Sequence, residues 1–333
     1  MAIDHSFIYL VVVLAYVFDF INGFHDAANS IATIVATEVL TPLQAVCWAA
    51  FFNFIAFMFF KLSVAHTIGT GLVQPDVITP TLLFSGLCSA IAWNLLTWYF
   101  GLPSSSSHAL VGGLIGAGFY AGGWHVLVLS GISKVLIAII LSPLLGAIIA
   151  IGLMTAVKKL SARLPHDEEH QVFRYFQLFS AAALSLSHGG NDAQKTMGII
   201  TILLFSANLL QGDFYVPLWV IISCNFVIAM GTLAGGWRIV HTLGRTITHL
   251  NPKRGCCAET GAAITIGLAT NLGVPVSTTH TVTGAIAGVG IAQGSGKTKW
   301  DVLRKIISAW FLTVPMTFML AMLLQSIATH MQK

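Results

Sequence analysis

Charge is what this sequence has least of. Only 8% of its 333 residues are Asp, Glu, Lys or Arg, against 56% hydrophobic, whereas a soluble domain carries about a quarter charged residues. Too little polar surface remains to face water, which excludes a soluble globular fold. No acidic or basic residue lies between Asp76 and Lys134, Lys134 and Lys158, Glu259 and Lys297, or Lys305 and Lys333. Such runs exceed the ~18 to 20 apolar residues that mark a membrane-spanning helix. Cysteine is scarce as well. Cys47, Cys88, Cys224, Cys256 and Cys257 show neither metal nor disulfide spacing and read as packing residues. The first apolar stretch, from Phe7, lacks a preceding basic flank and runs into polar residues rather than a cleavage site. It is therefore expected to be a retained membrane segment and not a signal peptide.

The cations that are present do not form a nucleic-acid-binding surface. They fall in three groups between apolar spans: Lys158, Lys159, Arg163 and Arg174; Arg238, Arg245, Lys253 and Arg254; and Lys297, Lys299, Arg304 and Lys305. That distribution is a topology signal. Hydropathy predicts an all-α polytopic membrane protein with helical segments near 6–37, 42–64, 81–100, 108–121, 133–157, 174–210, 215–234, 260–272, 280–292 and 306–328. A polar connector at 158–173 separates residues 1–157 from 174–333.

The two parts are copies. NGFHDAANSIATI at 22–34 matches HGGNDAQKTMGII at 188–200, pairing Gly23 with Gly189 and Asp26 with Asp192. GLPSSSSHALVGGLIGAG at 101–118 matches GVPVSTTHTVTGAIAGVG at 273–290, a constant offset of 172. Residues 236–254 and 291–305 each carry four Lys or Arg, while their counterparts at 64–82 and 119–133 carry none. By the positive-inside rule, equivalent loops then lie on opposite sides of the membrane, so the repeats are expected to be inverted, with the connector cytoplasmic and both termini outside. Inverted repeats with broken helices and re-entrant hairpins are transporter architecture, with substrate near mid-membrane.

Backbone breaks inside a bilayer are tolerated only where protein or a water-filled cavity covers them. Four are expected. Two follow Gly101 and Gly273, where Ser104, Ser105, Ser106 and Ser107, and Val276, Ser277, Thr278 and Thr279, precede a glycine-rich helix. Hydroxyl residues at a helix start are N-cap candidates, and first-turn amides attract anions. Two such starts meeting at mid-membrane would surround an oxyanion with neutral donors. His108 and His280 follow them, either donating to the anion, shuttling protons or bonding local backbone.

The other two breaks are expected at Asp26 and Asp192, which are costly as charges in hydrocarbon. Asn22, His25, Asn29 and Ser30 surround the first, and His188, Asn191, Gln194, Lys195 and Thr196 the second. Asp26, Asn29 and Asp192 suit a sodium ion, the carboxylates could instead carry protons, and a capping aspartate is a further reading. Lys195 stands where the first copy has Asn29. It is expected to replace one coupling cation and to attract the anion. Glu259, whose counterpart is Leu87, is either another coupling carboxylate or a boundary charge.

GFHDAANS (23–30), GGNDAQKT (189–196), GLPSSSSH (101–108) and GVPVSTTH (273–280) together resemble the inorganic phosphate transporter (PiT) family, in its compact bacterial low-affinity form. The resemblance implies about twelve membrane segments and re-entrant pieces in the cell inner membrane, often as a homodimer. It implies no cofactor and uptake of phosphate with protons or sodium, in part as a divalent metal phosphate complex. Ser105, Ser106, Ser107, Ser277, Thr278 and Thr279 are then expected to contact phosphate, with Asn29 and Lys195 beside them. Asp26, Asn29 and Asp192 would hold the cation, supported by Asn22, Asn191 and Glu259. His25 replaces the motif's Asn, and Gln194 and Lys195 its last Ala-Asn, which argues against a symmetrical pair of sodium sites; the similarity to the bacterial subgroup implies proton symport. Sulfate transport, a passive anion channel and an intramembrane hydrolase are the rival expectations. Phosphate at neutral pH keeps a P–OH that an aspartate can accept from, and sulfate does not.

Overall fold

The computed structural model describes residues 5–294 and 298–331, so Lys297 and Lys333 lie outside the described residues. The first copy contributes α1 (His5–Ala36), α2 (Pro42–Ile55), α3 (Ser63–Thr70), α4 (Pro80–Tyr99), α5 (Ser106–Gly122) and α6 (Leu129–Leu160). The second contributes α7 (His166–Ser206), α8 (Leu218–Ala234), α9 (Trp237–His241), α10 (Pro252–Asn271), α11 (Thr278–Ile291) and α12 (Trp300–Met331). No strand forms among the described residues, only the isolated bridges Val73–Leu127 and Thr248–Thr298.

The copies correspond helix by helix, and their ends show why. α4 and α10 each run 20 residues, start on a proline and are capped by Thr79 and Asn251, which are 172 residues apart. Proline suits a first helical turn because its missing N–H would have no partner there. α5 and α11 are capped in turn by Ser105 and Ser277, whose hydroxyls accept from the amides of His108 and His280. The turns before them pass through Gly101 at φ 64° and Gly273 at φ 69°, backbone that a β-carbon disfavours.

α1, α4, α6 and α12 are each long and apolar enough to cross a membrane; six spans result if two bent pairs are each counted as one. In those pairs, residues 42–58 meet α3 at 82°, and α8 meets α9 with its following π-turn at 65°. The expected single helix at 42–64 is thus two helices in an angled arrangement. The breaks expected at Asp26 and Asp192 are absent: α1 and α7 are continuous helices of 32 and 41 residues through both motifs. Glycine at 23 and 189 serves packing instead, because a β-carbon would stand 2.2 Å from the Ile228 carbonyl oxygen or 2.7 Å from that of Asn53. These glycines let α1 cross α8, and α7 cross α2, at backbone contact. The connector at 158–173 is itself mostly helical, shared between the end of α6, a turn at Ser161–Arg163 and the start of α7.

Packing exchanges partners between the copies. α5 lies along α12 and α11 along α6, while α1 pairs with α8 and α2 with α7. Ile137, Ile140, Leu144 and Ile148 of α6 and Phe311, Met319 and Leu323 of α12 point outward. An apolar exterior around buried polar side chains is the pattern of a protein dissolved in lipid. Two apolar clusters fill the interior: one takes Ile8 to Phe18 of α1 and Met197 to Leu204 of α7, the other Ala28 to Ile34 of α1 and Ala181 to Leu184 of α7. The repeated motifs sit in the polar layer between them.

Candidate functional site

Each motif lies in one copy, and their side chains meet across the copies. Asn29 Nδ2 donates to Thr278 Oγ1 at 3.2 Å and to Thr279 Oγ1 at 3.0 Å. Thr279 in turn donates to Asp26 Oδ1 at 3.4 Å, and Thr278 to Asp192 Oδ2 at 3.3 Å. Ser107 Oγ reaches the Val276 carbonyl at 3.2 Å, so the starts of α5 and α11 converge. Asp26, Asp192 and His188 each bring a ligand atom to a cluster within 4.8 Å. All of these side chains are buried.

The two aspartates differ in their company. Lys195 Nζ is in hydrogen-bond contact with Asp192 Oδ1 and Ser107 Oγ, and donates to the Val276 carbonyl at 3.2 Å. Asp26 Oδ1 instead meets Nδ1 of His25, its neighbour in sequence, at 2.7 Å. The far side of that imidazole contacts Thr97 Oγ1 at 3.2 Å and Ser104 Oγ at 3.5 Å. Both carboxylates thus face an imidazole, His188 Nε2 lying 3.3 Å from Asp192 Oδ2, and only Asp192 has a fixed ammonium as well.

Several polar atoms here are buried without a hydrogen-bond partner: Ser106 Oγ, Asn29 Oδ1, Asn191 Oδ1 and both amide atoms of Asn22. Native proteins leave few such atoms, and a cluster of them marks where a ligand or water belongs. Asn191 also donates to Thr270 Oγ1 at 2.9 Å and to the Val274 carbonyl at 3.3 Å. Ser105 and Ser277 spend a hydroxyl acceptor on capping. Behind the helix starts, the His108 and His280 rings meet edge to face at 4.5 Å, and His280 stacks on Trp310 at 3.7 Å.

Glu259 stands apart from this cluster. It accepts from Gln177 Nε2 at 2.8 Å and from the hydroxyls of Thr33 and Ser180. Thr33 is one helical turn beyond Asn29, so the two polar groups share the α1 face. Asp19, which the motifs do not mark, is also buried, and accepts from Thr196 Oγ1 at 2.8 Å. Its signal in the sequence is an acid within an apolar run, seven residues or two turns before Asp26.

A cleft of about 590 Å³ lined by Ser63, His66, Thr67, Phe214 and Tyr215 ends at Leu272 and Gly273, the turn leading to Ser277. Thr67 straps that turn by donating to the Gly273 carbonyl at 2.7 Å. At the mirrored turn Thr242 donates to the Gly101 carbonyl at 3.1 Å, and Arg238 adds a bond to the Tyr99 carbonyl at 2.6 Å, with its guanidinium over Trp98 and Tyr99.

Residues 22–321 match the model of the phosphate transporter family. The chain belongs to that family. The family member from Rhizobium meliloti (strain 1021) named a probable low-affinity inorganic phosphate transporter is 56% identical over 304 residues, 91% of each chain. One of the same name from Bacillus subtilis (strain 168) is 41% identical, covering 92% of this chain and 93% of its own. A solved structure described as the sodium-dependent phosphate transporter superposes with a TM-score of 0.88 over 97% of this chain and 99% of its own, at 24% identity. That likeness bears on the fold of this family member.

Proposed function

We propose that the chain is a secondary symporter of inorganic phosphate, with the anion held between the starts of α5 and α11. The observation that carries this reading is the crossing of hydrogen bonds between the copies: Asn29 donates to Thr278 and Thr279, Lys195 to Ser107, and Thr278 and Thr279 donate to Asp192 and Asp26. First-turn amides of two helices and the hydroxyls of Ser106, Ser107, Thr278 and Thr279 supply donors, with Lys195 as the nearby positive charge. The aspartates accept from a phosphate P–OH, which disfavours sulfate, and the relatives above are named for phosphate. Asp26, Asn29 and Asp192 are the cation-coupling groups, with Asn22, Asn191 and Glu259 in support. The ligand atoms of Asp26, His188 and Asp192 also suit the metal of a metal phosphate complex.

In this reading Lys195 is a tethered cation, held by a carboxylate, a hydroxyl and a carbonyl as sodium would be, and only the first copy takes a mobile coupling ion, a proton or sodium. The repeats are inverted in an inner membrane, the basic connector is cytoplasmic, about twelve helices and re-entrant pieces build the bundle, and two copies pair as a dimer. Against a hydrolase, Ser104 donates its hydroxyl to Thr97 Oγ1 at 2.8 Å rather than to His25, so the Ser104–His25–Asp26 order holds no poised nucleophile.

Proteoliposomes loaded under separately imposed proton and sodium gradients test the reading. Labelled phosphate should accumulate against its gradient with one of them, and excess sulfate should not compete. Uptake that only equilibrates would make the protein a channel, and cleavage of membrane peptides without phosphate uptake would make it an enzyme.

A further inference from the structure

We propose that Asp19 is a proton-binding carboxylate of the transport cycle, at a site distinct from the phosphate pocket; this rests on the symporter reading and names its coupling ion. Asp19 is fully buried in α1. Thr196 donates to its Oδ1, and its Oδ2 has no partner. A charge so placed is costly in a medium of low dielectric, and a carboxyl group escapes the cost by taking up a proton.

The surroundings decide which cation fits. A sodium ion asks for several oxygen ligands, and here Thr196 is the hydrogen-bonding neighbour, while the Tyr16 and Ser223 hydroxyls are bonded to each other at 2.7 Å. Asp19 forms no ion pair among the described residues, because Lys195 pairs with Asp192. Asp192 and Lys195 on α7 act on it electrostatically, and it acts in turn on Tyr16 of α1 and Cys224 of α8. Asp19 and Asp192 thus have one lysine between them, and it is bonded to Asp192. An anion arriving beside them adds negative charge, which favours protonation of the carboxylate that lacks a partner. A proton on Oδ2 turns Asp19 into a neutral acid as phosphate enters, and its loss restores the carboxylate once phosphate has gone. The second copy has Ser185 at this place, whose hydroxyl donates to the Ala181 carbonyl at 2.8 Å. The second copy therefore has no carboxylate matching Asp19.

Asp19→Asn imitates the protonated acid permanently. The full-length protein in proteoliposomes is assayed for labelled phosphate in two modes, accumulation driven by an inward proton gradient and exchange against internal phosphate without one. The expected result is at least a tenfold fall in the ratio of driven accumulation to exchange, with Asp19→Glu regaining the response to the gradient. Asp19→Ser, carrying the mirrored residue, gives the same ratio should the asparagine variant fail to fold. Accumulation by Asp19→Asn equal to wild type, or equal loss of both modes in a folded variant, overturns the assignment. A wild-type protein that moves no phosphate in either mode overturns the symporter reading itself, and this role with it.

Discussion

The two copies share a backbone plan and differ in where they spend charge. Asp192 is held by Lys195, and Asp26 by His25 and the Asn29-bonded Thr279. A second contrast lies one layer away. Glu259, Gln177, Ser180, Thr33 and Thr37 form a hydrogen-bonded group, in which Thr37 donates to Gln177 Oε1 at 2.9 Å. The mirrored positions are Leu87, Val11, Leu14, Ile199 and Leu203, all packed in one apolar cluster. Duplication supplied the scaffold, and divergence of a few buried side chains made one arm polar and the other greasy.

The contrast between the aspartates breaks most visibly at Asp192. Asp192→Asn strands a fully buried ammonium, and removing one partner of a buried pair costs about 3–5 kcal/mol. We expect a large fall in melting temperature and no uptake, whereas Asp26→Asn, which leaves no lysine unpaired, should melt close to wild type while losing transport. Thermal unfolding in detergent compares them directly. Lys195→Asn gives both copies an asparagine at this position: phosphate binding should weaken about ten- to hundredfold without sodium, from the loss of a charged hydrogen bond worth about 1.5–3 kcal/mol, and recover as sodium is added. Binding that ignores sodium in this variant would reject the tethered-cation role.

Finer changes sharpen the same comparison. Thr278→Val and Thr279→Val each remove a hydroxyl bridging the copies, and each should raise the phosphate Kd by about tenfold in equilibrium binding. The valine at 278 should also perturb the Lys195 arm, so a cycle with Lys195→Asn should show coupling that Thr279→Val does not. The smallest effect belongs to Arg238→Ala. It removes a cation–π contact worth about 0.5–1 kcal/mol and the bond to Tyr99, and should raise the labelling rate of a cysteine placed at Gly101 with little change in stability.

Much of this was legible in the chain. Charge-free runs announced helices, and two motifs repeated in order announced the duplication. The hydroxyl clusters announced helix starts, which Ser105 and Ser277 indeed cap. The errors have physical causes. Gly23 and Gly189 look like helix breakers on propensity, but tertiary packing uses them for backbone contact and keeps α1 and α7 whole. The bend after α2 is hard to read because its only polar mark is Lys61, standing alone among Phe59, Phe60 and Leu62, and hydropathy carries no direction. Asp19 was overlooked because no repeat flags it; its partner in the other copy is a serine. Reading single acids in apolar runs, alongside repeats, would have found it.

The exchange of packing partners sets the order in which this molecule can be completed. α5 presents one of the two hydroxyl-lined turns, yet the helix it lies along is α12, which is synthesised after all the other described helices. Until then the glycine face of α5 has nothing to rest on, with Gly112 and Gly116 still waiting for Val314 and Phe318. The N-terminal copy therefore cannot mature as an independent unit, and a chain truncated before α12 should be recognised by quality-control proteases as unfinished even though both motif pairs are already made.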